Sequence, residues 1–87
     1  MKDRLWRKTR SKSRLDPCYG ADPNRNWGNH WCEGGADHNP CSDTYCGARA
    51  FSEIEVKGVS DFLSKANDII CYINFHSYSQ LWMSPYG

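Results

Sequence analysis

Ile69-Ile70-Cys71-Tyr72-Ile73-Asn74-Phe75-His76-Ser77-Tyr78-Ser79-Gln80 is the stretch on which the fold turns. Its first half is an unbroken apolar run, and the second half turns polar abruptly. Such a run, bounded by polar residues, reads as a strand over 69–76 buried on both faces. In open α/β sheets, ligands sit just beyond the carboxyl ends of strands of this kind. His76 stands at that position, where an imidazole serves as a metal ligand or an acid-base group. From position alone, a histidine that merely caps a buried strand is an equal account.

Working upstream, Ser52-Glu53-Ile54-Glu55 reads as a capping box opening a helix within 51–67. Val56, Val59, Phe62, Leu63 and Ala66 fall on one face at helical spacing and read as core. Glu53 with Lys57, and Asp61 with Lys65, are i,i+4 pairs in the favourable orientation, while Gly58 weakens the helix a little. A helix leading into a buried strand is half of a crossover unit, so the class is α/β. One strand cannot make a sheet, and its neighbours are expected outside these 87 residues.

Residues 1–50 carry no long regular pattern. Gly20, Pro23, Gly28, Gly34, Gly35, Pro40 and Gly47 punctuate them, which predicts loops and short turns. Of five cysteines, Cys18, Cys32, Cys41 and Cys46 lie in this loop-like region and Cys71 lies in the apolar run. No C-x-x-C pair is present, which argues against a zinc ribbon. A disulfide-stapled loop in an oxidising compartment fits better, with three connectivities open. Cys71 reads as a small core hydrophobe.

Composition sets bounds. A chain of 87 residues, 39% hydrophobic and 14% aromatic, buries a modest core and needs disulfides, metal or partners to hold it. The formal net charge of +1 gives no global case for nucleic acid or membrane binding. Positive charge is nevertheless concentrated from Lys2 to Arg14, where Asp3 is the one acid. That segment is open to reading as a solvated arm or as an anion-binding one. No stretch approaches the roughly 20 apolar residues of a membrane span. No signal-peptide pattern is visible, since Met1-Lys2-Asp3-Arg4 leads into charge and not into an apolar run, at odds with the secretory look of the cysteines. The simplest resolution is that residue 1 is not the natural start of the functional protein.

Three blocks, in order, resemble the pancreatic-type zinc metallocarboxypeptidases (the carboxypeptidase A/B-like family). They are Arg4-Leu5-Trp6-Arg7-Lys8-Thr9-Arg10-Ser11, Gly20-Ala21-Asp22-Pro23-Asn24-Arg25-Asn26-Trp27, and His76-Ser77-Tyr78-Ser79-Gln80 followed by Pro85-Tyr86-Gly87. Pro40-Cys41-Ser42-Asp43-Thr44-Tyr45 and Ser52-Glu53-Ile54-Glu55-Val56-Lys57 add to the likeness, which runs the whole chain. The resemblance implies a piece, 1–87, of a mixed-sheet α/β/α catalytic domain. Its parts are a loop-rich site and disulfide segment (1–50), the helix (51–67), the buried strand (69–76) and a site-proximal segment (77–87). It also implies disulfides Cys18–Cys41 and Cys32–Cys46.

The implied reaction is removal of the C-terminal residue of a peptide by metal-activated water, with one Zn2+. His76 corresponds to a zinc ligand, and Arg7 to the catalytic arginine that polarises the scissile carbonyl. Asn24 and Arg25 correspond to the pair that grips the terminal carboxylate. Asp22 corresponds to an acid that orients a zinc-binding histidine. Arg4, Ser77 and Tyr78 correspond to subsite residues upstream of the cut. Peptide or protein C-termini are the implied substrates. An inhibitory pro-segment, secretion and a monomeric complete enzyme are further implications, with no nucleic acid or membrane partner.

The family's H-x-x-E ligand pair, capping tyrosine and catalytic glutamate have no counterpart here. His30-Trp31-Cys32-Glu33 spells H-x-x-E, but it lies inside the disulfide loop on the wrong side of Asn24-Arg25. One histidine does not hold catalytic zinc, so the chain by itself is expected to be inactive. The alternatives are a vestigial gene product or a non-catalytic remnant binding C-terminal carboxylates, and an unrelated disulfide-rich module using the basic arm. Preference between apolar and basic terminal residues is not encoded in these segments.

Overall fold

A computed structural model of the chain describes residues 3–13 and 16–85. The ends of the 1–50 and 77–87 segments, and Arg14 and Leu15 of the basic arm, lie outside the described residues. The body is built from loops. Regular structure among the described residues is a 3-10 turn, Pro23–Arg25, and one helix, α1, Ile54–Lys65. Two isolated bridges, Lys12 with Tyr19 (antiparallel) and Asp37 with Tyr45 (parallel), tie loop to loop.

The interior is small and largely polar. Ala21, Cys46 and Val56 are its buried apolar residues, beside buried Lys8, Thr9, Asp22, Asn26 and Glu53. Loop backbone has no ladder to satisfy its polar groups, so side chains do that work here. Asn26 is fully buried. Its side-chain amide donates to the carbonyls of Cys46 (2.8 Å) and Arg49 (3.2 Å) and to Ser52 Oγ (2.9 Å), and its Oδ1 accepts from Glu53 N–H (3.1 Å). Lys8 Nζ donates to the Pro40 carbonyl at 2.7 Å and lies 5.8 Å from the Tyr45 ring. Among the described residues no buried side-chain nitrogen or oxygen lacks a partner.

Both expected disulfides form, Cys18–Cys41 and Cys32–Cys46, closing separations of 23 and 14 residues. In the chain-entropy account each contributes roughly 2–4 kcal/mol by restricting the unfolded loop. Two glycines are required by close approach. A Cβ on Gly20 (φ +73°) would run into the Thr9 carbonyl, and one on Gly47 (φ +91°) into the Asn26 amide and Ser52 Oγ.

α1 departs from expectation at its start. Glu53, not Ser52, is the N-cap, and no side chain caps the helix. The Ser52 hydroxyl is drawn instead into the loop network, accepting from Asn26 and donating to Glu53 Oε2 at 3.0 Å. The i,i+4 pair that forms is Lys57–Asp61 at 3.0 Å, since Glu53 is turned inward. On the face expected to be core, Val56 is buried but Phe62 is 68% exposed.

The expected buried strand is not formed. Residues 69–76 carry no regular structure, Ile70 and Phe75 are almost wholly exposed, and the free Cys71 is exposed rather than a core residue. A strand is held by cross-strand hydrogen bonds, and no described residue offers an edge to pair with.

Candidate functional site

The site begins with Asp22. Its backbone is held by the Tyr45 carbonyl (2.8 Å), and its side chain caps the 3-10 turn, Oδ1 accepting from Asn24 N–H at 3.0 Å. Pro23 at the first position of that turn fits because its ring presets φ and no N–H is needed there. The other oxygen, Oδ2, accepts from Arg7 Nη2 (2.8 Å) and Nε (3.1 Å). Asp22 is 1% exposed while the Arg7 side chain is 40% exposed, so the guanidinium is anchored on one edge and open on the other.

Arg7, Asp22, Asn24, His76 and Ser77 line one open cavity of about 540 Å3, with Trp27, Tyr72 and Phe75 among its apolar walls. Asn24 and His76 also border a second cavity of about 610 Å3, together with Tyr78, Leu81, Trp82 and Met83. Arg25 faces a third and smaller space beside Trp31 and Glu33. Its Nε donates to the Gly35 carbonyl at 3.1 Å and its Nη1 to the Asn24 carbonyl at 3.4 Å. Arg4 sits exposed in a turn and lines none of these cavities. Of the residues expected at the site, the fold thus gathers Arg7, Asp22, Asn24, His76 and Ser77. Tyr78 is adjoining, Arg25 lies next door, and Arg4 stands outside. Asp22 here is committed to Arg7 and Asn24, with both oxygens engaged.

His76 presents one exposed imidazole to the Arg7 cavity, which fits a single metal-ligand position. Among the described residues the grouping of His, Cys and acidic side chains close enough to share an ion is Cys32, His38 and Cys46. Those two cysteines are joined to each other, so they present no thiolates to a metal. The H-x-x-E run forms an exposed His30–Glu33 pair at 2.9 Å.

Glu53 is the residue that sequence reasoning placed wrongly. At 5% exposure it accepts from the hydroxyls of Thr9 and Ser11 on Oε1 and from Ser52 on Oε2. Burial pushes its carboxyl upward. The hydrogen bonds from Ser11, Thr9 and Ser52, with the Ala21 backbone, outweigh burial and hold it below the ordinary value of 4.5. Tyr45 is shifted upward by burial, with Asp16 and Glu53 adding to it.

Comparison with known proteins gives the family of the chain. A family model described as zinc carboxypeptidase matches residues 1–87. Carboxypeptidase B of Astacus astacus is 58% identical over 87 residues, covering 98% of this chain and 29% of the relative. Carboxypeptidase B of Homo sapiens is 51% identical, covering 99% of this chain and 21% of the relative. Among solved structures, bovine thrombin-activatable fibrinolysis inhibitor in complex with tick carboxypeptidase inhibitor superposes with a TM-score of 0.69 at 52% identity. That match covers 72% of this chain and 22% of the other. The chain belongs to the zinc carboxypeptidase family, and it spans less than a third of the length of these relatives.

Proposed function

We propose that the protein to which these residues belong is a secreted, zinc-dependent carboxypeptidase that removes the C-terminal residue of peptides. The observation that carries this reading is the single cavity shared by Arg7, its Asp22 anchor, Asn24 and His76. His76 supplies one imidazole ligand, and further ligands come from outside the described residues, because catalytic zinc takes about three protein ligands. Zinc when bound supplies Lewis-acid polarisation of the scissile carbonyl and an activated water. Arg7 donates hydrogen bonds to the oxygen that gains negative charge as the peptide bond is attacked. A guanidinium stays charged and keeps donors to spare after one edge is fastened to Asp22. Asn24 and Arg25 hold the terminal carboxylate and so select the last peptide bond. Ser77 and Tyr78, and Arg4 once covered by the rest of the domain, contact residues upstream of the cut.

In the complete domain, residues 69–76 form a buried strand of a mixed sheet, as their apolar run requires. The two disulfides fit an extracellular setting. A pro-segment is a candidate partner from the family resemblance, and a carboxypeptidase inhibitor is another, because one structural neighbour is in complex with such an inhibitor. The deciding measurement is made on the complete enzyme, with one peptide as free acid and as C-terminal amide. The free acid is cleaved and the amide is not, and Arg25→Ala weakens transition-state binding of the free acid by about 2–4 kcal/mol. Equal cleavage of acid and amide by the unmutated enzyme overturns the reading.

A further inference from the structure

Glu53 is buried, lines none of the cavities described above, and has no part in the chemistry just proposed. Its bonds nevertheless converge on the site. Oε1 takes the hydroxyls of Thr9 and Ser11, and the backbone N–H donates to Asn26 Oδ1 at 3.1 Å. Thr9 is itself doubly joined to Ala21, its N–H donating to the Ala21 carbonyl (2.9 Å) and its Oγ1 accepting from the Ala21 N–H (2.9 Å). Ser11 accepts on its carbonyl from Gly20 N–H at 2.8 Å. Two residues before Thr9 stands Arg7, and next to Ala21 stands Asp22, with the guanidinium and carboxylate in contact. One residue therefore fastens both parts, its carboxylate holding the arm that carries Arg7 and its backbone N–H, through Asn26, the segment that carries Asp22, Asn24 and Arg25. An acceptor-only group is suited to this, because the hydroxyls that meet it all donate.

We propose that Glu53 is a positioning residue for Arg7, setting through Thr9 and Ser11 where the guanidinium stands relative to the scissile carbonyl. This rests on the carboxypeptidase reading above. Glu53→Gln keeps the size, the backbone bond to Asn26 and one acceptor oxygen for Thr9 and Ser11, but it removes the negative charge that strengthens those two bonds, so it weakens the hold on the Arg7 arm and leaves the backbone contact with Asn26 intact.

The test uses the complete zinc-loaded enzyme, as wild type, Glu53→Gln, Arg7→Ala and the double variant. Zinc content and steady-state kinetics are measured on one free-acid peptide. In the wild-type background Glu53→Gln lowers kcat about tenfold, with KM and zinc content unchanged, because small misplacement of a transition-state contact costs rate rather than ground-state binding. In the Arg7→Ala background the same change lowers kcat by less than about twofold, since the group it positions is gone. An equal factor in both backgrounds, or no change in kcat, overturns the proposal in favour of a purely stabilising Glu53. An Arg7→Ala enzyme as active as the parent overturns the role of Arg7 first, and the two failures are told apart in that way. Should Glu53→Gln not fold, Ser11→Ala removes one of the two hydroxyls from the exposed end. A kcat loss of about threefold that vanishes in the Arg7→Ala background supports the proposal, and any loss shared by both backgrounds, or none, overturns it.

Discussion

Buried Glu53 sits among hydroxyl and backbone donors that favour its charged form, which makes its contribution to folding pH-dependent. Its folded carboxyl titrates below the ordinary value of 4.5. A group with a depressed folded pKa stabilises the fold fully above its unfolded value, and that contribution disappears as pH falls through the folded value. Denaturant titrations of the complete protein at pH 7 and at about pH 3 should show a stability loss that is smaller in Glu53→Gln, which has no carboxyl to protonate. An identical loss in both would show that Glu53 does not sense pH in this window. At this scale the sequence brought together only part of the expected set, since Arg25 faces a neighbouring space and Arg4 lines none of the cavities. Arg7, Asp22, Asn24, His76 and Ser77 all reached one cavity. Glu53 and Asn26 were not legible. A glutamate at a helix start resembles a cap or a surface ion-pair member, and only the folded loops reveal which donors surround it.

Among the elements, the loops were legible as loops because glycine, proline and cysteine punctuate them, and the two bridges close around a polar interior. α1 was legible in kind but not at its edges. Its apolar spacing is real, yet Ser52 had a competing use inside the loop network and did not cap it. Gly58 remains the weak point of this helix. A Cβ there would meet nothing within 4 Å, and its φ is not in the left-handed region. Gly58→Ala should raise stability by about 0.5–1 kcal/mol, by lowering the entropy of the unfolded chain and restoring helix propensity. Chemical denaturation reads this directly. A destabilised Gly58→Ala protein would mean that the exposed face of α1 packs closely against another part of the complete domain.

For the molecule as a whole, the apolar residues of 69–83 have nowhere to go within the described structure. Ile70, Phe75, Tyr78, Leu81, Trp82 and Met83 are each at least 71% exposed, as is Ile54 at the start of α1. The radius of gyration, 14.2 Å, exceeds the roughly 12 Å of a compact chain of this length. Fully burying a large apolar side chain is worth about 1.5–3 kcal/mol, so leaving so many in water is a large forgone stabilisation. The reading of 69–76 as a strand came from that apolar run, and it failed here for a physical reason. Strand formation is a property of a pair of strands, and a single segment supplies half of each hydrogen bond. The run therefore reports on the complete domain rather than on these residues alone. Hydrogen exchange separates the two states. In the complete enzyme the amides of 70–75 should exchange at least a hundredfold more slowly (about 2.7 kcal/mol of added protection) than in the isolated 87-residue chain, where no residue from 67 to 85 makes a hydrogen bond to another described residue. Equal exchange in the two would remove the strand from the sheet. It would also leave His76 on a mobile segment, unable to hold a metal ligand geometry that needs its imidazole fixed by the strand before it.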